Sequence, residues 1–119
     1  MNNHSYILEK LLHSKAEREE QLNLEGVIWG SKELPWWKGN QLYCETDLLF
    51  FTGNVYVFQY HVIEYKRSDK ERGHAIDQLE RSQEFVQEFF NADCYKWLVT
   101  GRYRDLDVEH IGKHPRKIR

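Results

Sequence analysis

Asp47 stands immediately before the apolar run Leu48-Leu49-Phe50-Phe51, and Glu64 and Lys66 close the aromatic and β-branched run that begins at Val55. Ionisable groups at the ends of apolar strands are costly to bury unless they are paired or bound to a metal. Two carboxylates can hold Mg²⁺ or Mn²⁺ through oxygen ligands. A cation held there can polarise a phosphate and acidify a water, and a lysine beside it can orient that water or steady developing charge. The structural alternative is a Glu64–Lys66 pair at a sheet edge with Asp47 facing solvent.

The elements that must position these residues follow from periodicity. From about His4 to Leu22, Leu8, Leu11, Leu12 and Leu22 recur at helical spacing, which predicts a first amphipathic helix. Residues 26 to 39 carry Gly26, Gly30 and Pro35 among Trp29, Trp36 and Trp37, and read as an irregular connection. Residues 41 to 51 and 55 to 65 read as two strands joined by a tight turn at Thr52-Gly53-Asn54. Their apolar residues fall on adjacent as well as alternate positions, so helices should cover the sheet on both faces. A second helix from about His74 to Phe90 places Ala75, Leu79, Val86, Phe89 and Phe90 on one face. Tyr95–Thr100 reads as a further strand, and Val108–Ile111 as a short edge strand before a basic tail from about residue 112. The expected fold is one α/β domain over residues 1–119 with a central mixed sheet.

Alternation puts Glu64 and Lys66 on one strand face with Val62 and Tyr60, and Ile63 and Tyr65 on the other. A turn centred near Gly53 would pair Asp47 with residue 59 or 60. Glu64 would then overshoot by several residues at ~3.3 Å each, so twist, a bulge or a crossover must close the gap.

Composition restricts the function classes. The net charge of −2 argues against a protein coated in basic residues, although Lys66, Arg67, Lys70 and Arg72 form one local basic patch and Lys113, Arg116, Lys117 and Arg119 another. Hydrophobic residues are 40% and aromatic residues 14% of the chain, enough to predict a folded domain. No stretch has the length or apolarity of a membrane span or a secretory signal, so an intracellular, cytoplasmic location is expected. Cys44 and Cys94 are expected to be reduced, half-buried thiols, and His110 and His114, four apart, lack the closely spaced cysteines that would complete a zinc site. Trp36 and Trp37 suit either stacking on unpaired bases or core packing, and packing is favoured. His61 and His74 are expected to be packed or capping residues.

Asp47, the apolar run after it, and Val62-Ile63-Glu64-Tyr65-Lys66 together resemble the PD-(D/E)XK nuclease superfamily over roughly residues 4 to 100, with Thr46 where that family usually has proline. The resemblance implies a three-layer, restriction-endonuclease-like core and metal-dependent hydrolysis of DNA phosphodiester bonds, with RNA not excluded. It implies Asp47 and Glu64 as metal ligands, the Tyr65 carbonyl as a third, and Lys66 beside the reacting water. Some members add a glutamate from the first helix, for which Glu19 lies nearest the leucine stripe. Several place a glutamine on the helix after the motif, matched by Gln78. Mg²⁺ is the expected cofactor, with Mn²⁺ as substitute. Arg67, Lys70, Arg72, Lys113, Arg116 and Lys117 are the candidate phosphate contacts. A homodimer presenting two active sites would let so small a domain surround a duplex. The competing expectations are a catalytically inactive nucleic-acid- or partner-binding module with the same fold, and a structural oligomer joined through its tryptophans and aromatic strands.

Overall fold

The computed structural model describes residues 3–53 and 57–112. The chain is α/β. One mixed sheet of five strands in the order β1-β2-β3-β4-β5 comprises β1 (Val27–Lys38), β2 (Gln41–Gly53), β3 (Phe58–Lys66), β4 (Cys94–Arg102) and β5 (Asp105–Ile111). Adjacent strands are antiparallel except β3 and β4, which run parallel and are joined through α3 (Arg72–Phe90). A parallel pair requires such a long crossover, and a helix supplies it.

The apolar positions sort into two cores. Ile7, Leu8 and Leu11 of α1 (Asn3–His13) pack with Leu48, Phe50, Ile63, Tyr65 and Val99. Ala75, Leu79 and Val86 of α3 pack with Leu49, Val62, Cys94 and Leu98. Residues adjacent in a strand, such as Val62 and Ile63, therefore serve opposite cores, so the sheet carries a helix on each face. Phe50 is the largest fully buried side chain, and a Cβ added at Gly30 would stand 2.5 Å from its ring. Gly30→Ala is accordingly expected to destabilise the fold by about 1–3 kcal/mol in a denaturant titration.

Several expectations from the sequence are corrected. Residues 27–38 are a strand, not an irregular connection; Pro35 is tolerated because β1 is an edge strand. The single helix expected over residues 4–22 is broken at Ser14, which caps the short helix α2 (Lys15–Glu17), followed by a π-helical turn at Arg18–Leu22. Phe89 lies 72% exposed and outside the core of α3, whereas Phe90 stacks on Tyr60. Gly53 is a strand residue paired with Phe58, so Thr52-Gly53 is not the tight turn expected there, and Asn54 lies outside the described residues. No helix among the described residues is long and apolar enough to cross a membrane.

Candidate active site

The pairing of Gly53 with Phe58 changes the register decisively. Pairing runs from Gly53↔Phe58 to Leu48↔Ile63, so the ladder ends with the residues next to Asp47 and Glu64 facing each other. The overshoot expected from a turn at Gly53 therefore does not arise.

Asp47 also sits at a crease in the β1–β2 ribbon. Cys44 and Thr46 face Ser82 of α3, with Thr46 Oγ1 2.6 Å from Ser82 Oγ, whereas Leu48 and Phe50 face α1. Side chains two apart ordinarily share a face, so the alternation reverses at Asp47. Across the ladder Glu33, between the partners of Leu48 and Thr46, adopts a left-handed φ of 50°. That conformation costs a non-glycine residue roughly 1–2 kcal/mol, and in a ladder it marks a deliberate bend. The bend turns the Asp47 side chain toward β3, where Oδ2 accepts the backbone N–H of Tyr65 at 2.8 Å.

Asp47 and Glu64 are 6% and 4% exposed, so two carboxyl groups share one dry site. Burial, reinforced by the neighbouring Asp47 charge, pushes Glu64 up to about 10. At neutral pH Glu64 therefore carries a proton, which it shares with Asp47 in a hydrogen bond. Burial opposes ionisation of Asp47 as well, but hydrogen bonds from His4, Glu64 and the Tyr65 N–H prevail and hold it below the ordinary aspartate value. Glu64 Oε2 is buried and has no hydrogen-bond partner. An orphaned buried oxygen costs a few kcal/mol and is resolved by a water, a proton or a cation.

Lys66 extends from the same strand face as Glu64 and is half-buried, its Nζ 3.5 Å from Glu71. Gln78 reaches the same end of the sheet from α3, its Oε1 accepting the Glu45 N–H at 3.4 Å. The structure thus brings Asp47, Glu64 and Lys66 together, with Gln78 bonded to the backbone two residues before Asp47. Glu19 lies elsewhere. It pairs with Lys15 at 3.7 Å and shares a surface depression with Gly26 and Val27, and Val27 pairs with Thr52, roughly 17 Å along β2 from Asp47. The helical phase carried from Leu8 to Glu19 fails because α1 ends at His13.

The first helix instead contributes His4, whose Nε2 is 3.2 Å from Asp47 Oδ2. That contact raises the His4 pKa above its ordinary value. His4 continues the Leu8 and Leu11 stripe one turn toward the N-terminus, which is the signal in the sequence that would have selected it.

Of the candidate phosphate contacts, Arg67 and Lys70 are exposed just beyond Lys66. Arg72 is already committed, its guanidinium forked onto Glu109 with one contact of 2.6 Å, and braces α3 against β5. Lys113, Arg116 and Lys117 lie outside the described residues. Trp36 is a packed residue, its Nε1–H donating to Thr46 Oγ1 at 2.8 Å, whereas Trp37 is exposed. Cys44 and Cys94 are free, but they are fully buried between the sheet and α3, not half-buried as expected. His74 is exposed at the start of α3, and His61 is buried away from the carboxylates.

Among the described residues no three His, Cys, Asp or Glu side chains form a ready metal cage. The donor set nevertheless fits a divalent cation: two facing carboxyl groups, one with an unpartnered buried oxygen, and a lysine held alongside. No protein-family model matches the chain, and no curated protein matches it in sequence.

Proposed function

We propose that this chain is a metal-dependent nuclease with a restriction-endonuclease-like core, hydrolysing phosphodiester bonds in DNA. One observation carries the proposal: where the β2–β3 ladder ends at Leu48 and Ile63, the adjoining Asp47 and Glu64 form a buried, coupled pair of carboxyl groups with an unsatisfied oxygen, beside Lys66. Helices on both faces of a mixed sheet, with the carboxylates on two neighbouring strands, agree with the three-layer arrangement that the sequence resemblance implies.

A divalent cation at this pair would supply Lewis acidity and an acidified water. Asp47 and Glu64 would hold it, with the Tyr65 carbonyl as a further oxygen donor. His4, already on Asp47, is a candidate nitrogen ligand in the position expected of Glu19. Loading such a site requires Glu64 to release its proton, so cation affinity should rise with pH. Lys66, screened from bulk water on one side and tethered by Glu71, would carry its charge to the scissile phosphate. There it favours the more negative transition state over the ground state. Gln78 tethers the Glu45 backbone at the edge of the crease and acts as a positioning residue. Arg67 and Lys70, exposed next in the chain, would hold flanking phosphates and make binding weaken with salt.

The test is cleavage of labelled single-stranded, duplex, flapped and four-way DNA, with RNA controls, in Mg²⁺, Mn²⁺ or EDTA. The wild type should cut at least one DNA substrate with a divalent cation and none in EDTA, and Glu64→Ala should cut none. Equal cutting by both proteins would place catalysis elsewhere. Binding without cutting would instead favour the inactive module.

A further inference from the structure

Asp47 is the shared acceptor of the site. Its Oδ2 takes the Tyr65 N–H at 2.8 Å and lies 3.2 Å from His4 Nε2, and the carboxylate also accepts the Glu64 proton. The contacts from His4 and Glu64 are made through protons on atoms that, once deprotonated, offer a lone pair to a metal. Adjacent ligands of an octahedral cation, with bonds of about 2.1 Å, stand roughly 3 Å apart. His4 Nε2 and Asp47 Oδ2 already have that spacing. Among the described residues no three such groups form a closed cage, so a cation would draw His4 and Glu64 in around Asp47, the group that both already touch.

Three further observations single out His4. Its ring lies 5.6 Å from that of Tyr65, and the next turn of α1 is anchored by the buried Ile7 and Leu8, so the imidazole is held in place. The His4 side chain is 37% exposed against 8% for Asp47, which makes it the wet wall of a dry site and the side from which a hydrated cation enters. Glu64, 4% exposed, keeps Oε2 without a partner and so retains a lone pair for that cation. α1 has no oxygen donor to put in the place of His4. Its one acidic residue, Glu9, is held by Lys32 at 2.6 Å and by His13 at 3.0 Å.

We infer that His4 sets the identity of the cation, so that the site selects a first-row transition ion, Mn²⁺ above all, over Mg²⁺. Mg²⁺ demands oxygen ligands and gives up its waters reluctantly. Imidazole nitrogen suits transition ions, whereas carboxylates suit Mn²⁺ as well as Mg²⁺. Two carboxylates and one imidazole therefore favour Mn²⁺ on every ligand and Mg²⁺ on the oxygens alone. The inference rests on the nuclease reading in taking Asp47 and Glu64 as cation ligands. It goes further in making the first-helix residue the selector.

Calorimetric titration of the full chain with Mn²⁺ or Mg²⁺ at one fixed pH reads the selectivity without any nucleic acid. The wild type should bind Mn²⁺ about tenfold more tightly than Mg²⁺, or better. His4→Ala should weaken Mn²⁺ binding by about 10–100-fold and Mg²⁺ binding far less, so that the preference collapses. His4→Glu, which supplies an oxygen instead, should recover affinity for both cations without recovering the preference. Electron spin echo spectra of bound Mn²⁺ should carry the nitrogen modulation of a coordinated imidazole in the wild type and lose it in both variants. Nitrogen modulation that survives in His4→Ala, or a preference that His4→Ala leaves unchanged, overturns the inference. A wild type that binds neither cation overturns it as well. The nuclease reading fails separately: Mn²⁺ held through His4 with no substrate cut sinks that reading and upholds this one, whereas cleavage by a protein whose cation preference ignores His4 does the reverse.

Discussion

Replacing Glu64 with glutamine is expected to abolish metal-dependent cleavage, by about 10³-fold or more, while making the metal-free protein more stable. Both effects have one origin. Glu64 is raised from 4.5 to about 10 by burial and by Asp47, so the folded state holds a proton that the unfolded chain releases above pH 4.5. Its stabilising contribution is fully present below pH 4.5 and is lost as pH rises through the folded value. Glutamine keeps the size and a donor toward Asp47 without that dependence. The variant should therefore gain on the order of 2–4 kcal/mol over wild type at pH 8, and much less at pH 5. Thermal unfolding at the two pH values reads the difference. Added Mn²⁺ or Mg²⁺ should raise the wild-type midpoint at pH 8 and barely move that of Glu64→Gln. A variant less stable than wild type at pH 8, or one that gains as much from the cation, would show that Glu64 is neither the strained acid nor the ligand.

What made this pair visible in the sequence was contrast. An aspartate ahead of Leu-Leu-Phe-Phe and a Glu-x-Lys ending a run of Val, Ile and aromatic residues conflict with their surroundings, and such conflicts concentrate at functional sites. The two long helical stripes and the alternation that separates Val62 from Ile63 were legible for the same reason: a repeated period reports a buried face. The misjudged features lie where no period exists. β1 is disguised by glycine, proline and two register shifts, each acceptable at a sheet edge and each a loop signal when read locally. Glycine and asparagine are turn formers and predict a turn at Gly53, but the ladder continues through Gly53, and a displacement of two residues moves a strand partner by four. The crease at Asp47 depends on Glu33, a residue with no special propensity for positive φ, and only the tertiary arrangement imposes it.

His61 shows how hydrogen-bond direction can fix a charge state, and a second large pH effect follows from it. Its Nδ1 lies 3.0 Å from Trp97 Nε1, and an indole N–H can only donate, so Nδ1 must be bare. The ring's proton therefore resides on Nε2, directed at Thr52 Oγ1 at 3.0 Å. Protonating Nδ1 would oppose two N–H groups where buried His61 stacks with the partly exposed Tyr95 and Trp97. Burial, with the nearby His110 charge, lowers His61 to about 4. The group binds fewer protons folded than unfolded between that value and 6.5, so its contribution is complete above pH 6.5 and is lost as pH falls through 4. The loss amounts to about 3 kcal/mol, enough to lower the wild-type midpoint by roughly 10 °C over that interval. His4 has the opposite sign, because its pKa is raised by Asp47, and the comparison must therefore be made against a variant of His61 alone. His61→Gln should be less stable than wild type at pH 7.5 by about 1–3 kcal/mol, for a disrupted buried hydrogen-bond pair. The gap should then close as pH approaches 4, because glutamine does not titrate. Parallel midpoint-against-pH curves for the two proteins would mean that His61 accepts its proton in the folded state, against the donor geometry of Trp97.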